Sequence, residues 1–232
     1  MSDKKLTLVQ HLDELRARII KSLIFIIILS CILYNFTDKI LIILVKPIGK
    51  LVFLAPTEAF VAHIKIAFFG GLFLSSPFII YQIWQFISEG LKLDERKYVL
   101  MFGPLSFIFF ILGSAFGYFV IIPMGIKFLL GFATDFVTPM ITLNNYISFV
   151  TMITIAFGVV FQLPLISLFL TKIGIVTPKF LSNKRKHAIV IIFILAAALT
   201  PPDVITQCLM AVPLLVLYEI GIMFSKFVYR PT

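Results

Sequence analysis

Charge is scarce in this chain. Only 13% of its 232 residues are Asp, Glu, Lys or Arg, whereas soluble domains average about a quarter. That scarcity excludes an ordinary soluble domain. A hydrophobic fraction of 60% and a mean hydropathy of +1.09 place the chain among integral membrane proteins. Cysteine is nearly absent, and Cys31 and Cys208 both sit in apolar stretches, which excludes a disulfide framework or a zinc site. His11, His63 and His187 are too far apart for paired-ligand spacing, so neither a metal nor a cofactor is expected. No residue set joins a nucleophile to its base, which argues against an enzyme, and no nucleotide-binding loop occurs.

What is present is mostly hydrophobic and basic. The net charge of +9 belongs to membrane topology rather than to nucleic acid, since no nucleic-acid-binding motif accompanies it. Mixed charge precedes the first apolar run and no small-residue cleavage site follows it, so a cleaved signal peptide is not expected. The lack of an Arg/Ser-rich transit segment points to a bacterial or archaeal plasma membrane.

Apolar runs predict six spans at about residues 19–36, 66–87, 98–122, 147–170, 188–199 and 204–225. Pro123 is expected to close the third. Thr200-Pro201-Pro202-Asp203 divides the last two. At 1.5 Å per residue the fifth covers only roughly 18 Å, short of a hydrocarbon core about 30 Å thick. A single re-entrant hairpin is the alternative for this pair, but the sixth is long enough to cross by itself. The expected fold is therefore an all-α integral membrane protein with one six-span domain, its fifth and sixth spans short. Lys4, Lys5, Arg16, Arg18, Lys21, Lys92, Arg96, Lys97 and the run Lys184-Arg185-Lys186 fall on one side, placing both termini in the cytoplasm. The longer connections, about 37–63 and 123–146, should form an ordered external cap.

Four of the eleven acidic residues fall in two basic-flanked clusters, His11-Leu12-Asp13-Glu14-Leu15-Arg16 and Asp94-Glu95-Arg96-Lys97. Acidic groups gathered at a membrane surface suit a cationic guest, and a carboxylate matches the two-pronged geometry of arginine. Thr7-x-x-Gln10 has capping-box spacing. Leu8, Leu12, Leu15 and Ile19 then make an apolar stripe, predicting an amphipathic surface helix that turns into the first span. Plain structural explanations stand beside these readings. Glu14 and Arg18 are spaced as a helix pair worth about 0.2–0.5 kcal/mol, and Glu95 could be a solvated loop charge. Glu219 lies inside the last span, where a charge costs roughly 2.5–3.5 kcal/mol unless paired or near an end. Gln82, Gln162 and Gln207 suit interhelical hydrogen bonding, and Gly70, Gly71, Gly113 and Gly117 suit close helix packing.

The motifs His11–Arg18, Pro56–Phe60, Ser76–Phe86, Glu95-Arg96, Ala156–Pro164, Thr200–Asp203 and Pro213–Glu219, in this order over nearly the whole chain, resemble the TatC family, the polytopic subunit of the twin-arginine protein translocase. The resemblance implies a concave, glove-like bundle that recognises twin-arginine signal peptides of folded proteins at its cytoplasmic face, driven by the proton gradient. It implies that Glu14 and Glu95 are the acidic signal-binding positions, with Arg16, Phe86 and Arg96 shaping or flanking them. Pro47, Glu58 and Asp203 match external-side positions tied to translocase function. Gln207 falls on the helix that meets single-span partners, and Gln162 and Glu219 are the further intramembrane polar positions. The implied partners are TatA- and TatB-type single-span subunits, folded substrates bearing the signal, further copies of this chain and membrane lipid, without nucleic acid. Two positions depart from the family pattern. Gln162 stands where many relatives carry glutamate, and Ser88-Glu89 stand where a proline is usual, making Glu89 a candidate third acceptor. The competing class is a secondary transporter of a small cationic solute. It would require an inverted repeat and a midplane charge; no repeat is visible, and Glu219 is the only acidic residue within a predicted span.

Overall fold

The computed structural model describes residues 8–46, 51–131, 140–199 and 204–229, apart from the side chains of residues 8, 93 and 94. Pro47 and Asp203, and the Thr7 of the expected capping box, lie outside them. The described chain is almost wholly helical: α1 (Leu8–Tyr34), α2 (Thr37–Val45), α3 (Pro56–Glu89), α4 (Leu93–Phe116), a π-helical turn (Gly117–Ile121), α5 (Ile122–Leu130), α6 (Leu143–Val160), α7 (Leu163–Lys172), α8 (Pro178–Asn183), α9 (Arg185–Leu199) and α10 (Val204–Val228). Helices dominate because hydrocarbon offers no partner to backbone amides, so each segment must satisfy its own. Five helical stretches are long and apolar enough to cross a membrane. The expected fifth span is α9, outside these five, whose 15 residues cover roughly 22 Å. Of the two spans expected to be short, only α9 falls below the hydrocarbon thickness, because α10 continues through its internal Pro213 for 25 residues.

Prolines mark the other differences from expectation. Pro123 does not end the third span. Proline lacks an N–H and disrupts a regular α-turn, and here the preceding chain widens into a π turn in which the Ile122 N–H bonds the Gly117 carbonyl. The helix then runs on to Leu130. Pro164 has the opposite effect: α6 stops at Val160, and α7 restarts at Leu163 with the proline in its first turn.

The chain divides into two compact units, residues 1–43 with 60–107 and residues 44–59 with 108–232. In the first, α1 packs on α3 through Gly71, where an added Cβ would lie 2.8 Å from the Ser30 amide nitrogen. Ala62, Ile66, Trp84 and Phe102 are buried there. The Trp84 indole N–H donates to Ser106 Oγ at 2.8 Å. The apolar stripe of α1 faces outward, as expected of a helix at a membrane surface, and Asp13 and Arg16 are exposed as well. Leu12 and Ile19, on the predicted apolar stripe, are 63% and 50% exposed, while His11, Glu14 and Arg18 turn inward. The helix also continues unbroken from Leu8 into the span instead of turning. Both follow from the solvent: an apolar stripe can face lipid, so the polar face is the one that needs protein partners.

In the second unit α7 lies along α10, with Gly221 against Pro164 and Ser167 and a short hydrogen bond between the Thr171 and Ser225 hydroxyls. Gly113 and Gly158 bring α4 against α6. The two longer connections meet in one β-bridge between Val52 and Thr142, in which the Leu143 N–H donates to the Val52 carbonyl at 2.8 Å. The Tyr146 hydroxyl donates to the Leu44 carbonyl at 2.6 Å.

Gly71→Ala should therefore lower the thermal unfolding midpoint of the detergent-purified protein, by the equivalent of about 1–3 kcal/mol for overpacking against backbone. Gly103→Ala, whose Cβ would meet nothing nearer than Trp84 at 4.0 Å, should leave the midpoint unchanged. Equal midpoints for the two variants would exclude this contact as a packing constraint.

Candidate functional site

The predicted spans begin at Ile19 in α1 and end at Ile87 in α3, and His11, Glu14, Arg18 and Glu89 lie just outside those bounds where the two helix ends adjoin. Residues 11, 14 and 18 are spaced by three and four and so share one helix face. Arg18 binds three acceptors. Its Nε donates to Glu14 Oε1 at 2.6 Å, Nη1 to Gln82 Oε1 at 3.0 Å and Nη2 to Glu89 Oε1 at 2.7 Å. Nη2 also contacts Glu14 closely. His11 stacks on Phe86 with ring centroids 4.2 Å apart, and its Nδ1 lies 4.0 Å from Glu14 Oε2. That second oxygen of Glu14 is buried and accepts no hydrogen bond. The cluster thus sets two carboxylates against one guanidinium, with the second oxygen of Glu14 buried and without a hydrogen bond.

Burial acts to raise the pKa of both carboxyls, but their neighbours divide them. For Glu14, the Glu89 carboxyl as hydrogen-bond partner, with the hydrogen bond and charge of Arg18, outweighs burial and holds the group below its ordinary range. For Glu89, burial and the adjacent Glu14 carboxylate outweigh Arg18 and push it up.

The other expected site residues are placed separately. Glu95 sits at the third position of α4 and accepts from the Lys92 N–H at 3.1 Å, the back-bond of a capping box. Among the described residues no hydrogen bond or ion pair joins it to Glu14 or Arg18. Arg16 and Arg96 are exposed. Glu58 closes the start of α3, accepting from the Leu54 N–H at 2.9 Å behind Pro56. Gln207 donates to the Phe193 carbonyl at 3.0 Å, tying α10 to α9. Gln162 stands at the break between α6 and α7, its amide 3.5 Å from the Gly158 carbonyl. Glu219 is not an isolated intramembrane charge: it pairs with Arg185 at 2.8 Å and is 49% exposed. Sequence reasoning missed the roles of His11 and of Arg18 as the hub, although their helical spacing from Glu14 carried the signal. No local signal could have placed Glu89 beside Arg18.

These features define a polytopic α-helical membrane protein whose charged chemistry is held at helix ends rather than in a midplane cavity. The family described as Sec-independent protein translocase protein (TatC) matches residues 10–213. The TatC protein of Carboxydothermus hydrogenoformans is 48% identical over 98% of this chain and 96% of its own length. That of Aquifex aeolicus is 41% identical over 96% of each. A crystal structure of the twin-arginine translocase receptor TatC is similar at a TM-score of 0.88, with 41% identity over 95% of this chain and 100% of that one. The chain belongs to the TatC family. It is accordingly a multi-pass plasma-membrane component of a Sec-independent protein translocase, which implies a complex with other subunits.

The unequal pair can be tested directly. In infrared titration the protonated-carboxyl band of Glu89 should persist above pH 4.5, the ordinary value for the group, because a raised pKa retains the proton to higher pH. The band should disappear in Glu89→Gln. Its loss below pH 4.5 in the unsubstituted protein would refute the assignment.

Proposed function

We propose that this chain is the receptor and core subunit of a twin-arginine translocase, taking the signal peptides of folded proteins at the cytoplasmic face. The observation that carries the reading is Glu14, a carboxylate held at the end of the first span with one buried oxygen that accepts no hydrogen bond. A guanidinium supplies paired N–H donors to such a group in planar geometry, whereas an ammonium supplies only a point charge. His11 stacked on Phe86 fixes a flat, partly apolar wall beside it. Glu95, at the adjacent helix start, is the second proposed acceptor. Its capping bond to Lys92 uses Oε2 and leaves Oε1 for a peptide. Arg16 and Arg96 flank the two acceptors. The apolar segment of the peptide then lies against lipid-facing helix surface.

The charge bias supports an orientation with both termini cytoplasmic, and the six spans are read as one membrane domain. In this orientation Glu58, Pro47 and Asp203 belong to the external side and serve translocation after recognition. TatA- and TatB-type single-span subunits assemble on the chain, with Gln207 and its helix as a contact. The short α9 favours local thinning of the membrane. The chain acts as a receptor and not as an enzyme.

The test is binding of a twin-arginine signal peptide and its Lys-Lys variant to the purified protein. Glu14→Ala and Glu95→Ala should each weaken the Arg-Arg peptide by about thirtyfold or more, since truncating one partner of a hydrogen-bonded charge pair costs roughly 2–5 kcal/mol. The Lys-Lys peptide should bind more weakly than Arg-Arg to the unsubstituted protein and lose less on substitution. Equal binding of both peptides, unaffected by either alanine, would sink the reading.

A further inference from the structure

Glu14 already holds a guanidinium. Arg18 is only 14% exposed and reaches both Glu14, on its own helix, and Glu89, at the end of α3. An arginine of a signal peptide brings the same chemical group, so its recognition at Glu14 is an exchange of one guanidinium for another. Exchange has an inherent difficulty. Releasing Arg18 from Glu14 would leave a largely buried cation without its counter-charge, and unpairing a buried charge is strongly unfavourable. Glu89 removes that difficulty. It binds Nη2 at 2.7 Å, and Gln82 holds Nη1 at 3.0 Å. Both contacts can persist when Nε leaves Glu14. At 31% exposure Glu89 is also the less buried of the two carboxylates, Glu14 being 17% exposed, so it can remain paired with Arg18 while the deeper one changes partner.

We propose that Glu89 is a positioning residue for signal recognition: it retains Arg18 while an incoming guanidinium takes Glu14. The proposal rests on the receptor reading and adds to it that Glu89 acts through Arg18 rather than by touching the peptide. It also makes Arg18 an internal competitor for Glu14, and the strength of that competition is set by Glu89.

A double-mutant cycle on the detergent-purified full chain tests this, with the Arg-Arg and Lys-Lys peptides as probes. Glu89→Gln should weaken the Arg-Arg peptide by about fivefold or more, within the range of directly contacting, coupled residues, because Arg18 then has only Glu14 as a counter-charge. In an Arg18→Gln background the competitor is gone, and Glu89→Gln should change affinity by less than about twofold. If Arg18→Gln is not recovered folded, Arg18→Lys serves. Its single ammonium cannot bridge two carboxylates in the same geometry, and the Glu89→Gln effect should shrink there also. An equal loss in all backgrounds would mean that Glu89 contacts the peptide itself and would overturn the proposal. So would an unchanged affinity for Glu89→Gln alone. Failure of the receptor reading is seen separately, as equal affinity of the unsubstituted protein for the two peptides.

Discussion

Hydrocarbon cannot hydrogen-bond, and the structure follows from that constraint. Amides, hydroxyls and charges near the membrane find partners within the chain or at the chain's wet ends, with the buried Ser76 and Ser114 hydroxyls as exceptions among the described residues. Serine and threonine hydroxyls bond back to the carbonyl one turn earlier, as Ser22, Ser30, Thr154 and Thr171 do. The Trp84 indole and the Gln207 amide reach neighbouring helices. Charged groups collect at helix ends, where Glu58 and Glu95 cap and Glu219 meets Arg185. Proline, which removes a donor, is met by a wider turn at Pro123 and by a helix break at Pro164.

The same constraint explains why α1 is inverted relative to a helix in water. A soluble amphipathic helix buries its apolar face. Here Leu12 and Ile19 face outward, and His11, Glu14 and Arg18 find their partners on α3. A polar cluster held by side chains from two helices has its geometry set by both backbones. That is what a recognition site needs if it is to separate a planar guanidinium from a spherical ammonium. The cluster holds two carboxylates against the one guanidinium of Arg18.

Much of the fold was legible in the sequence. Continuous apolar runs of about 20 residues have few alternatives to spanning helices, and Thr200-Pro201-Pro202-Asp203 limits α9 whatever its neighbours do. Glu14 and Arg18 could be read as a pair from their spacing alone. Less was legible where two outcomes share one local pattern. The stripe through Leu12 and Ile19 suits water-side burial and lipid exposure equally, and the stripe itself does not say which solvent it meets. Pro123 could have ended a helix or followed a widened turn, and the structure has the widened turn, with Gly113 and Gly117 in close contact with α6. Glu95 has the spacing of a cap from Lys92, and its carboxylate takes that place in the structure.

The sequence by itself determined the membrane environment, the helical class, the shortness of α9 and the pairing of Glu14 with Arg18, because these depend on hydropathy and on spacings of three and four residues. Only the tertiary structure decided that Glu89 and Gln82 would join that pair from the far end of α3. Their separation from Arg18 is 71 and 64 residues. No local periodicity spans such a distance: two helix ends must be brought level by packing before their charges can meet.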